Sequence, residues 1–134
     1  MAGKADLELF SRGGSALPSM MGRWVNELGS TMTVTAQAPD GHFSGAYTSA
    51  VSGTGQQVHG PVQGFVTNDS VGWVVDWTPT FRSTTSWAGK ILRDPTGAPM
   101  IYTLWNLSRE LADPAEDWWE SFLSGSDRFE RLGP

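Results

Sequence analysis

Cysteine is absent from this chain of 134 residues, which excludes disulfides, thiolate nucleophiles and thiolate metal sites together. Charge is scarce, and basic charge more so. Nine Lys and Arg stand against 14 Asp and Glu, and a net charge of −5 repels a phosphate backbone, so nucleic acid is not an expected partner. No apolar run reaches the roughly 18 residues that a membrane-spanning helix needs, so no membrane partner is expected either. The only histidines, His42 and His59, lie beside turn signals and read as solvated loop or strand-edge residues. There is no closely spaced His pair, no carboxylate cluster of ligand type and no G-x-S-x-G elbow. Neither a metal nor catalysis is expected. Residues 1–20, "MAGKADLELFSRGGSALPSM", carry no signal peptide, because Lys4 precedes no apolar core. They read as a flexible Gly/Ser/Pro-rich extension in front of a single domain, 21–134. Either a leader has been removed or the chain stays in the cytoplasm.

What the chain has in quantity is tryptophan and glycine, 7 and 16 residues respectively. Turn signals recur along it: "APDG" at 38–41, "SGTG" at 52–55, "TND" at 67–69, "TPT" at 78–80 and "RDPTGAP" at 93–99. Short β-branched and aromatic runs fill the gaps, which predicts an all-β antiparallel barrel or sandwich of about eight strands. The exception is 113–125, "DPAEDWWESFLSG". Asp113 suits an N-cap, Pro114 the first helical position and Glu116 a capping box. Ala115, Trp118, Trp119, Phe122 and Leu123 follow a helical stripe that Gly125 stops, so a short helix is predicted before the last strand.

Side chains along a strand alternate between faces, and each run can be read on that basis. "GRWVNELGSTMTV", 22–34, reads as one strand with Trp24, Asn26, Leu28 and Ser30 on a single face. "FSGAYTSAV" aligns Phe43, Tyr47, Ser49 and Val51; "VGWVVDW" aligns Val71, Trp73, Val75 and Trp77. Thr85, Trp87, Gly89 and Ile91 form a further set, as do Ile101, Thr103, Trp105 and Leu107. Asp127 shares a face with Phe129. The apolar faces therefore also carry Asn26, Ser30, Tyr47, Ser49, Thr85 and Asp127, alongside Trp77, Trp87 and Trp105. Buried polar groups need partners, and apolar walls with a few convergent polar groups describe a ligand pocket inside a closed barrel. Asn26, Ser30 and Tyr47 can donate to one oxygen, while Ser49 and Asp127 can accept from N–H groups. A neutral urea or amide fits that set. A lipocalin-like carrier of another small apolar ligand and a ligand-free interaction barrel are the alternatives.

"GRWVNELGSTMTVTA", "GAYTSAV", "GWVVDW", "TTSWAGK", "LWNL" and "DWWESFLSGSDRF" resemble, in order and approximate spacing, segments of the avidin and streptavidin family. The resemblance spans roughly 22–132. It implies an eight-stranded up-and-down antiparallel β-barrel that holds biotin non-covalently, with no cofactor and no chemistry. By position it implies that Asn26, Ser30 and Tyr47 hold the ureido oxygen, Ser49 and Asp127 take the ureido N–H groups, and Thr85 faces the sulfur. Trp77, Trp87 and Trp105 would box the ring system with Leu28, Val51 and Leu107, while Ser52, Gly53 and Ser83 would meet the carboxylate tail. Gln56 stands where short dimeric members carry a cysteine, and the stretch from Trp77 to Trp87 is shorter than in streptavidin. Trp119, eight residues before Asp127, matches a tryptophan that reaches into a neighbouring subunit's site in tetrameric members. The outward positions Met100, Tyr102 and Leu104 would make an exposed apolar patch in a monomer. A homotetramer is therefore expected, with a dimer as the alternative. The resemblance also implies a secreted or periplasmic protein.

Overall fold

The structure, a computed structural model, describes residues 17–50, 57–111, 113 and 118–132. Eight strands follow one another as β1 (Gly22–Asn26), β2 (Thr31–Gln37), β3 (His42–Ser49), β4 (Val58–Thr67), β5 (Ser70–Asp76), β6 (Ser83–Arg93), β7 (Pro99–Arg109) and β8 (Phe122–Leu132). Each pairs antiparallel with its neighbour in sequence, and β8 pairs back with β1, so the sheet closes into a barrel without a free edge. Strict alternation of buried and exposed residues, unbroken through all of β4, is the sequence-level cause.

The turns form where Gly, Asn and Asp allow them. Asn68 takes a positive φ of 48° between β4 and β5. Asp94 Oδ1 accepts the Thr96 and Ala98 N–H groups between β6 and β7. The stretch read as one strand over 22–34 is in fact two. Asn26 Oδ1 accepts the N–H groups of Leu28 and Ser30, and Gly29 at φ 87° completes the reversal. Trp24 pairs with Met32 and Val25 with Thr31, so even-numbered residues stay inward through the turn. Leu28 is the exception, because it falls at the tip, where there is no sheet face, and is 63% exposed.

The short helical element expected before the last strand is there, and a second correction concerns only its extent. Phe122 to Gly125 belong to β8, and the only helical element among the described residues is a single 3-10 turn, Trp118–Ser121. Pairing with β7 wins over local helix preference there: Phe122 meets Ser108 and Leu123 meets Leu107 in the ladder. Phe122 and Leu123 are half-exposed rather than part of a buried stripe. Residues 114–117, with the expected capping positions Pro114 and Glu116, lie outside the described residues.

The interior divides into two ends. The end formed by the start of β1 and the close of β8 is filled with Trp24, Met32, Val34, Phe43, Val66, Ile101 and Phe129. Residues 17–20, counted with the extension in the sequence, pack across this end. Met20 is fully buried; its carbonyl accepts Trp24 Nε1 at 2.9 Å and its N–H donates to Gln37 Oε1 at 2.7 Å. The Arg131 guanidinium lies 4.5 Å from the centre of the Trp24 ring and bonds the Ser19 carbonyl. The opposite end carries the polar inward residues.

Candidate ligand site

The polar residues sit where strands approach the β1–β2, β3–β4, β5–β6 and β7–β8 connections. On β7 burial decreases towards that mouth. Ile101 and Thr103 are wholly buried on β7, whereas Trp105 and Leu107, nearer the opening, are half-buried. Ser49 and Ser83 are likewise intermediate. Among the sequence-identified residues, Asn26, Ser30, Tyr47, Trp77, Thr85, Trp87 and Asp127 are buried together.

Tyr47 sits at the centre of the aromatic wall. Its ring stacks on Trp87 at 4.8 Å between centroids and meets Trp77 edge-on at 5.7 Å. Trp73 backs Trp87 at 5.6 Å, and Phe129 closes on Trp73 from below. The tryptophans are held by their own N–H groups: Trp77 Nε1 donates to Thr85 Oγ1 at 2.9 Å, and Trp87 Nε1 to Asp127 Oδ2 at 3.0 Å. Thr103, which the sequence placed inward without a role, donates to the Asp127 carbonyl at 3.0 Å and so fixes the backbone that carries the carboxyl.

The polar atoms are arranged as a donor group beside an acceptor. Asn26 spends its carbonyl oxygen on the turn, which leaves its NH2 facing other partners. Ser30 Oγ accepts the Ala50 N–H at 3.0 Å, so its proton is available to Tyr47, with which it bonds, or to an incoming oxygen. Burial pushes the Tyr47 phenol well above its ordinary range, and the Asp127 charge adds to this, so the group stays a neutral donor. Asp127 is also raised above the usual carboxylate range. Burial is the largest cause, opposed by the Trp87 hydrogen bond and reinforced by Glu27.

The arrangement depends on a glycine that the sequence reading took for a helix stop. Gly125 faces Trp105 across the β7–β8 ladder, and a Cβ there would lie 2.5 Å from Trp105 Cζ2. Only the β8 register reveals that role. At the mouth, Ser83 and Leu107 line a cleft of ≈ 640 Å³ with Phe81, Arg82, Arg109, Glu110 and Leu123. Arg82 precedes β6 and shows no strand parity, whereas Arg109 closes β7 two residues past Leu107, on the same face; Arg82 pairs with Glu110 at 3.2 Å and Arg109 Nη2 donates to the Glu120 carbonyl at 2.9 Å. Leu28 stands on the rim, and Trp119 is 58% exposed in the 3-10 turn. Val51, Ser52 and Gly53, with Gln56, lie outside the described residues.

The two histidines lie at strand ends: His42 opens β3 and His59 is the second residue of β4. His42 bonds Gln63 Oε1 at 2.7 Å and His59 bonds Thr48 Oγ1 at 2.9 Å, both at the barrel surface. Among the described residues no three His, Cys, Asp or Glu side chains come together as metal ligands. No helix among them is long and apolar enough to cross a membrane.

The chain resembles known proteins over most of its length. The sequence model of the Avidin family matches residues 15–132. Avidin of Gallus gallus is 33% identical over 121 residues, which is 85% of this chain and 78% of that protein. Among solved structures, a biotin binding protein from chicken superposes with a TM-score of 0.75 at 31% identity, covering 86% of this chain and 97% of its own. A shwanavidin variant in complex with biotin superposes with a TM-score of 0.69 at 26% identity, over 86% of this chain and 99% of its own.

Proposed function

This chain belongs to the avidin family, and from that premise we propose that its barrel binds biotin non-covalently and performs no chemistry on it. One observation carries the reading. Asn26, Ser30 and Tyr47, which can donate to a single oxygen, share one barrel end with the Asp127 acceptor and the Trp77–Trp87 wall. A ureido ring needs that combination: an oxygen met by several donors, N–H groups met by acceptors, and flat apolar sides. Ser49 is the second N–H acceptor. Thr85, held by Trp77, faces the thioether, while Trp105, Leu107, Leu28 and Val51 complete the walls. The valerate tail leaves through the mouth, where Ser83 meets its carboxylate with Arg82 and Arg109 nearby, and Ser52 and Gly53 contribute from their loop. No cofactor is required, since biotin is itself the ligand.

Self-association completes the proposal. Tyr102 and Leu104 are 49% and 62% exposed on the outer face of β7, an apolar surface that a second copy would cover. The reading is a homotetramer in which Trp119 closes a neighbour's site. Family membership supports a secreted or periplasmic location.

Titration of the folded protein with biotin, followed by tryptophan emission, tests the ligand. Quenching and a blue shift that saturate at one biotin per chain are expected, because the ligand covers the half-buried Trp105 and packs against Trp77 and Trp87. A flat titration would overturn the proposal in favour of another apolar ligand or an interaction barrel.

A further inference from the structure

Glu27 lies in the turn after β1, at the register position opposite Arg128, since Val25 faces Glu130 and Asn26 faces Phe129. Its Oε2 accepts the Arg128 N–H at 2.9 Å, a bond that carries the carboxyl across to β8. There it stands beside Asp127, on whose carboxyl its charge acts. Asp127 Oδ2 is already engaged by Trp87 Nε1, and the Asn26 side chain also bonds the carboxyl. From β3 comes Tyr47, a neutral phenol; from β6 and β7 come Trp87 and Thr103, which do not titrate. Among the described residues, no cation is one of the groups that act on Asp127. A second carboxyl beside a buried carboxylate that has no counter-charge disfavours its ionisation, so Asp127 keeps its proton to higher pH than an isolated carboxyl does.

We propose that Glu27 is the positioning residue for Asp127: held on β8 by the Arg128 N–H, its carboxyl favours the protonated form of Asp127 in the empty barrel in acid, and a ligand N–H arriving at Asp127 takes that proton's place. The proposal rests on the reading that Asp127 receives a ligand N–H. An N–H donor bonds the ionised carboxylate, so binding expels the Asp127 proton to solvent and acid opposes binding. Burial and Glu27 hold the free Asp127 above the ordinary carboxylate range, and a bound donor brings it down. Affinity is then flat above the free protein's value and falls by about tenfold for each pH unit below it, as one-proton linkage requires. Glutamine at position 27 would still accept the Arg128 N–H but carries no charge, so Glu27→Gln preserves the turn and removes the coupling.

The experiment measures desthiobiotin affinity from about pH 4 to pH 8, the span of a raised carboxylate, for the parent and Glu27→Gln. Carboxyl carbon NMR titrations of both ligand-free proteins accompany it. The expected result is an acid fall in the parent's affinity that moves down by at least about one pH unit in the variant, with the Asp127 resonance titrating lower by the same shift. Superimposable affinity profiles, or an Asp127 titration unchanged by the substitution, would overturn the proposal. Absence of desthiobiotin binding by either protein at every pH would overturn the ligand reading instead, and the NMR titration would still decide the carboxyl pair.

Discussion

Trp87 and Asp127 are 40 residues apart in the chain and are joined by one buried hydrogen bond, from indole Nε1 to carboxylate Oδ2 at 3.0 Å. The bond holds the Trp87 indole and the Asp127 carboxyl in fixed relation across the barrel interior and engages only one of the two carboxyl oxygens.

Asp127→Ala should weaken biotin binding by about 1.5–3 kcal/mol, because a charge-assisted bond is lost and a ureido N–H is left unpaired. Desthiobiotin, which keeps the ureido ring, should lose affinity in parallel. Calorimetric or competitive titration measures both. Parent-like affinity would mean that Asp127 does not receive the ligand.

Asp127→Asn should bind less well yet unfold at a higher temperature near pH 7. Burial raises the folded carboxyl above its unfolded value, so the parent is most stable below about pH 4 as far as this group is concerned. That contribution is lost as pH rises through the raised value, where the folded state must carry an unfavourable charge. The amide carries none and can still accept from Trp87. Thermal unfolding of both proteins across this pH range is the check, and equal pH dependence would contradict it.

Gly125→Ala should displace the Trp105 indole, because the added Cβ falls 2.5 Å from Cζ2. Overpacking of this kind costs about 1–3 kcal/mol. A lower melting temperature is expected, together with a red-shifted tryptophan emission in the empty protein and weaker biotin binding. An unchanged emission maximum would show that the indole does not depend on this glycine.

Tyr47→Phe keeps the ring stacking on Trp87 and removes only the hydroxyl that bonds Ser30. Biotin binding should weaken by about 0.5–1.5 kcal/mol while the melting temperature changes little. The alkaline behaviour should change too. Burial, then the Asp127 charge, raise the phenol, so the parent should lose stability as pH rises past about 10, the unfolded value. The variant should lose less, and unfolding curves in alkali measure the difference.

Trp119→Lys tests the assembly. If Trp119 closes a neighbour's pocket, faster biotin release and a smaller sedimenting species should appear together, since ligand and interface share one residue. A fully assembled variant with parent-like release would confine Trp119 to its own chain.

Alternation of apolar and polar residues determined the strands and their inward faces, since it runs through β3, β5, β6 and β7 and needs no long-range information. The same parity identified Asn26, Ser30, Tyr47, Thr85 and Asp127 as inward polar groups. Leu28 was misread because a reversal that preserves parity looks, in sequence, like an uninterrupted strand. Residues 122–125 were misread as helix because Phe and Leu satisfy a helical stripe and a strand equally, and only a partner strand decides between them. Gly125 could not be understood before β7 and β8 were in register, and Arg82 and Arg109 could not be placed before the barrel had a mouth. Contacts such as Trp87 to Asp127 and Glu27 to Arg128 are decided by closure of the sheet. Closure brings β8 against β1 across the whole length of the chain, and no local pattern records which side chains will then touch.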